Sequence, residues 1–107
     1  VFCTQPGGKV ILQDDFARVV LVGDADHPAF CRVIINDHVK EMSDLEPAAR
    51  DRLMRIVYAV EEALRELLDP HKVNLASLGN MVPHLHWHVI PRFRDDPHFP
   101  NPVWGPR

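Results

Sequence analysis

His84-Leu85-His86-Trp87-His88-Val89-Ile90 is the stretch whose reading decides the fold. In a strand, side chains alternate faces with period two. His84, His86 and His88 then share one face, a row of imidazoles about 7 Å apart. Leu85, Trp87 and Val89 share the other face and can pack on a helix. A buried, unpaired row of imidazoles is costly. Histidine is also the side chain whose charge changes near neutral pH. Three readings compete. The row is a polar surface strand, or two of its members hold a metal ion, or one imidazole is a nucleophile positioned by its neighbours.

The flanking sequence places this strand in an α+β arrangement. Lys9–Gln13 and Phe16–Val22 read as a hairpin about Asp14-Asp15, and Cys31–Ile35 as a third strand. Leu53, Ile56, Val57, Val60, Leu64, Leu67 and Leu68 recur at three- and four-residue intervals. They predict a helix over 45–68, roughly 35 Å long, capped by Ser43 or Asp44 with Pro47 in its first turn. Asp69-Pro70 ends it. Residues 73–78 and 85–92 read as the fourth and fifth strands. Short links favour antiparallel pairing, so the expected fold is one five-stranded, mostly antiparallel sheet with a single long helix on one face. The prolines of residues 93–107 forbid regular structure, and this tail is expected either to lie extended against the body or to be disordered.

Composition narrows the function. The chain has 107 residues, 46% apolar and 25% charged, which fits one globular domain over 1–107. Its apolar runs, such as Val19–Val22, are only a few residues long, so no membrane span is expected. No signal-peptide pattern opens the chain. A net charge of −3 argues against a nucleic-acid polymer as partner. Two cysteines, Cys3 and Cys31, do not staple a secreted scaffold, and a reducing cytoplasmic compartment is expected. Cys31, in an apolar strand, is read as buried and inert. His27, His71 and His98 are read as solvated loop residues, and His38 as structural. Trp104, in the tail, is expected on a partner subunit, near the site or on the surface.

The pattern HLHWHVI, continued by Pro91-Arg92, resembles the histidine-triad family of nucleotide hydrolases and transferases. Gly79-Asn80-Met81-Val82-Pro83-His84 is similar to that family's Gly-Gln-Ser/Thr-Val-x-His lead-in. Val33–Val39 resembles the strand and turn before its long helix. The likeness spans about residues 9–105, and it is nearest to bacterial diadenosine-tetraphosphate hydrolase-like members.

The resemblance implies chemistry at the α-phosphate of nucleoside phosphoramidates, nucleotide esters or dinucleoside polyphosphates. His86 is the implied nucleophile, forming a nucleotidyl-imidazole that water cleaves. His88 contacts the phosphate on the leaving-group side, and His84 supports the site by hydrogen bonding. Asn74 matches an amide that touches the phosphate, and Asn80 and Met81 stand in the lead-in. Asp24, with Asp26 as fallback, matches the acid that holds the ribose, while Phe16 and Leu21 would flank the base. No cofactor and no metal at the triad are implied, and family members pair as homodimers through the helix and an edge strand.

Three positions depart from the family pattern. Phe30 stands where a histidine usually orients the nucleophile, so a backbone carbonyl or another polar group must do so. Met81 lacks a hydroxyl donor, and Asn80 is shorter than glutamine. Cys3 stands alone where some members pair two cysteines on zinc, and no zinc is expected there. A nucleotide-binding or sensing module with little activity is the alternative function.

Overall fold

The computed structural model describes residues 7–107, so Cys3 and the question of zinc there lie outside the described residues. Five strands form one sheet: β1 (Lys9–Gln13), β2 (Ala17–Leu21), β3 (Cys31–Ile35), β4 (Lys72–Ala76) and β5 (His86–Arg92). Their spatial order is β1-β2-β3-β5-β4, with every neighbouring pair antiparallel. The helix α1 (Pro47–Leu68) crosses one face.

Local chemistry sets the boundaries. The Asp14 carboxylate accepts the N–H groups of Ala17 and Phe16 at 2.9 and 2.8 Å, closing the β1–β2 turn. These bonds hold its pKa below the usual carboxylate value. α1 begins two residues later than the periodicity predicts. Leu45 and Glu46 are extended (ψ 145° and 151°), because a residue before proline is pushed out of the helical region. Ser43 and Asp44 therefore do not cap α1. They belong to a 3₁₀ turn, Met42–Asp44, where Asp44 accepts the N–H of Glu41. At the far end Asp69 adopts the left-handed conformation and donates its N–H to Arg65.

The register sorts residues between the two faces. Leu53, Val57 and Leu64 of α1 bury against Ala17, Val19, Cys31, Val33, Ile35, Val73 and Val89. Trp87 packs at the edge of this core and donates Nε1–H to the Met42 sulfur at 3.5 Å. Cys31 is buried, and burial raises its thiol pKa. The opposite face carries Arg32 paired with His88, Ile34 with His86, and Asn74 with Ile90.

The Pro-rich tail folds back as a series of turns against this second face. The buried carboxylate of Asp96 forms a two-pronged pair with Arg92, at 2.8 and 3.0 Å, their side chains 4% and 3% exposed. It also accepts the N–H groups of His98 and Phe99. His27 and His98, expected to be solvated, are instead joined at 3.0 Å between Nε2 and Nδ1, with His27 buried. The reason is the returning tail, which closes over the loop before β3. Among the described residues, no helix is long and apolar enough to cross a membrane.

Candidate active site

β5 begins at His86, and the residue before the strand pair that matters most, His84, lies in the preceding loop. The expected row of three imidazoles on one face is thereby corrected. His84 turns into the core, fully buried, with Nε2 at 2.6 Å from the Ile35 carbonyl and its ring edge-on to His38. Only His86 and His88 face the cavity, with ring centroids 4.9 Å apart rather than about 7 Å.

The backbone of His84 does the orienting. Its carbonyl lies 2.6 Å from His86 Nδ1. A carbonyl only accepts, so Nδ1 of His86 carries the proton and donates. Nε2 then holds the lone pair. This answers the substitution at position 30, since a main-chain carbonyl fixes the ring without a side-chain partner. Ser77 donates its hydroxyl to the His86 carbonyl at 2.8 Å and pins the same segment of β5.

Burial disfavours the charged form of both imidazoles. Burial lowers the His86 pKa below its ordinary value, and the nearby positive charge of Arg32 adds to this. Burial likewise takes His88 down to about 4, helped by His86 and Arg32. Phe30 meets the His88 ring edge-on at 5.4 Å between centroids, and Trp104 at 4.9 Å. Trp104, half exposed, lies beside the site.

A cavity of about 350 Å³ opens over these residues, walled by Arg32, His86, His88, Trp104 and the loop from Leu78 to Val82. Asn80 and Met81 line it, as expected, and Met81 is 94% exposed. Gly79 takes φ +83° in this loop, where a side chain would be strained. A larger cavity, about 530 Å³, adjoins on the other side of Trp104 and contains no imidazole. Asn74 lies there, its Oδ1 accepting from Arg92 at 2.8 Å. It is not among the residues walling the histidine cavity.

The early hairpin does not supply the other expected contacts. Leu21 and Phe16 pack on the helix side, and the Arg52 guanidinium stacks on the Phe16 ring at 4.4 Å. Odd-numbered positions of β2 face α1, so Leu21 cannot flank a base on the opposite face. Asp24 is exposed and accepts the Asp26 N–H at 2.8 Å, while Asp26 pairs with Arg107. Neither lines the cavity. Arg32, which also lines the cavity, is not singled out by the sequence reading. Among the described residues, His27, Asp96 and His98 are the histidine and acidic groups that converge within 4.8 Å, and none of the triad is among them.

A five-stranded antiparallel sheet bearing one helix, with an oriented imidazole and a second beside it on the open face, defines the histidine-triad class. The HIT domain family model matches residues 4–95, and the chain belongs to that family. Solved structures agree. A histidine triad protein from Bradyrhizobium japonicum is 31% identical, with a TM-score of 0.84 over 92% of this chain and 75% of that one. A histidine triad protein from Sinorhizobium meliloti is also 31% identical, with a TM-score of 0.85 over 94% and 74%. One from Marinobacter aquaeolei is 34% identical, with a TM-score of 0.81 over 89% and 69%. No curated protein matches the chain.

Proposed function

We propose that the protein is a nucleotide hydrolase or nucleotidyl transferase working at an α-phosphate through a covalent nucleotidyl-histidine, in the manner of diadenosine-tetraphosphate hydrolase-like members of its family. The observation that carries this reading is the bond from His86 Nδ1–H to the His84 carbonyl. It leaves Nε2 as a neutral nucleophile on a ring that lines the cavity. Nε2 attacks phosphorus, a P–N bond forms, and the P–O or P–N bond to the leaving group breaks. Water then cleaves the nucleotidyl-imidazole, releasing the nucleoside monophosphate and restoring the ring. Two smaller barriers replace one large one.

His88 stands beside the reacting centre and suits contact with the leaving group. His84 acts through its main chain and its core hydrogen bond. Asn80 lines the cavity, and its amide suits contact with phosphate oxygens as charge develops on them. Asn74 we assign to supporting Arg92, and Asp24 we do not carry into the site. We further propose a cytoplasmic homodimer formed through α1 and the edge strand β4, since Tyr58, Leu67 and Leu68 of the helix are exposed. Sedimentation at a single-chain mass at micromolar concentration would exclude the dimer.

Rapid quenching with an AMP-linked substrate tests the chemistry. A phosphoramidate-linked AMP adduct on the peptide containing His86 is expected, and its absence during active turnover would refute the covalent route. The exposed Met81, which brings no hydroxyl to the loop, favours one second reading: a nucleotide-binding module of low activity. Tight AMP binding without measurable turnover on a panel of esters, amidates and dinucleotides would select it.

A further inference from the structure

One nitrogen of His88 has nothing to bond. The residue is 5% exposed, and its Nδ1 is buried with no hydrogen-bond partner among the described residues. Three rings enclose the imidazole: Phe30 at 5.4 Å, His86 at 4.9 Å and Trp104 at 4.9 Å between centroids. An imidazolium carries a proton on both nitrogens. At His88 the Nδ1 proton would be a buried donor without an acceptor, a costly arrangement. The neutral ring avoids it by keeping a lone pair on Nδ1, which places its single proton on Nε2. His88 lines the histidine cavity, and Nε2–H is the group left to meet a substrate there. Among the described residues lining that cavity, none is an Asp, Glu, Ser, Thr, Tyr or Cys. The titratable groups left near neutral pH are the two imidazoles, and Nδ1–H of His86 is directed at the His84 carbonyl.

We propose that His88 is a catalytic residue that serves the leaving group as a fixed hydrogen-bond donor through Nε2–H, and not as its acid. This rests on the nucleotidyl-transfer reading and deepens it. As His86 Nε2 bonds to the α-phosphorus, the P–O bond to the leaving group breaks and its electron pair stays on the departing oxygen. That oxygen accepts the hydrogen bond from His88 and leaves as an anion, while the proton stays on the ring. Giving the proton up would leave an imidazolate. Carrying a second one would create the unpaired Nδ1–H. Burial, with the influence of His86 and Arg32, takes the His88 pKa down to about 4, which acts in the same direction. The site then favours substrates whose leaving atom departs as a weakly basic oxygen anion, an anhydride-linked phosphate or carboxylate. It disfavours alkoxides and amines, which leave only with a proton.

Two readouts test this. Nitrogen NMR of the wild-type protein near neutral pH reads the ring without turnover and should show His88 neutral, with its proton on Nε2. A charged ring, or a proton on Nδ1, would overturn the proposal. The second readout is kcat/KM on aryl esters of AMP whose phenols differ in acidity, for wild type, His88→Gln and His88→Ala. Glutamine donates a hydrogen bond but is no acid near neutral pH. kcat/KM should rise with phenol acidity equally steeply in wild type and His88→Gln. His88→Gln should stay within about tenfold of wild type, and His88→Ala should fall about 100-fold, in line with loss of one donor to developing charge. An acid would instead flatten the wild-type series and cost His88→Gln about 10²–10⁴-fold on the least acidic phenols. That result, or equal losses in the two variants, would overturn the assignment. Retained activity in His86→Ala would overturn the nucleotidyl-transfer reading, and NMR would still decide the state of His88.

Discussion

On its helix side the sheet buries Val19, Val33, Ile35, Val73 and Val89 beneath α1; on its other side it buries Arg18, His86, His88 and Arg92, partly beneath a proline-rich tail. The first face is closed mainly by apolar area. Each buried aliphatic side chain contributes about 1.5–3 kcal/mol, with no directional requirement. The second buries Val20, Ile34 and Ile90 as well and adds directed bonds: Arg92 to Asp96 and Asn74, His27 to His98, Arg18 to Asn36. The contrast teaches that both faces contribute apolar burial, while the second also holds polar groups at fixed angles, which chemistry needs. The predictions below are ways to separate the two.

The largest effect belongs to His86. His86→Ala should reduce turnover by at least about a thousandfold, or 4 kcal/mol and more in barrier. AMP affinity should stay within about tenfold and the melting temperature should change little. A variant keeping more than a tenth of the activity on every nucleotide tested would show that the polar face does not carry the nucleophile. In the unmodified protein, the acid limb of kcat/KM should lie lower in pH than for an ordinary imidazole, because burial lowers the His86 pKa.

Breaking the tail's anchor comes next. Asp96→Asn leaves the Arg92 guanidinium buried against a neutral amide, which costs about 3–5 kcal/mol for a buried pair. Urea unfolding would measure it. The hydrogen bonds from Arg92 hold the Asp96 pKa well below the usual carboxylate range. Its stabilising contribution is thus complete above the ordinary carboxylate value and is lost as pH falls below that value. The wild type should lose stability in that acid range and Asp96→Asn should lose less, so parallel pH curves would refute the pairing.

Leu53→Ala probes the other face. Leu53 is fully buried, and truncation should cost about 2–5 kcal/mol. Here kcat at a temperature where the variant remains folded should be close to wild type. A large fall in kcat would show that the two faces are coupled through the sheet.

The two faces were not equally legible in the sequence. The helix side was read directly: the 3.6-residue period gave α1 to within two residues at its start, and the alternation of Leu85, Trp87 and Val89 gave the side that packs on the helix. The strand pairing followed from short links. On the site face, His86 and His88 were legible because their alternation is unusual. The position of His84 was not, since a proline before it starts the strand later and turns its ring toward Ile35. Asn74, Asp24, Leu21 and Phe16 were assigned by likeness, and their placement depends on which face each strand shows, which a likeness does not state. Arg32 and the His27–His98 bond were hidden for another reason. Both depend on contacts across the fold, at separations of 25 and 71 residues, and nothing local marks them.

Trp104→Ala should have the smallest effect, and it tests whether the tail shapes the chemistry or merely covers it. Trp104 is 53% exposed, so its removal forfeits little buried area. Its edge-on contacts with His88 and Phe30 are each of a kind that contributes about 0.5–1.5 kcal/mol, and the total loss should be near 1 kcal/mol. The informative change is electrostatic. His88 stays neutral down to about pH 4 chiefly because it is buried. Between its ordinary value near 6.5 and about 4 the unfolded chain takes up a proton that the folded chain refuses. Stability should therefore fall as pH drops through that window. Removing the indole admits water to the ring, raises its pKa toward the ordinary value and flattens the fall. Titration of the His88 ring by NMR should show the upward shift. An unmoved titration would mean that Phe30 and the sheet alone bury the imidazole, and that the tail's aromatic residue acts on the substrate rather than on the histidine.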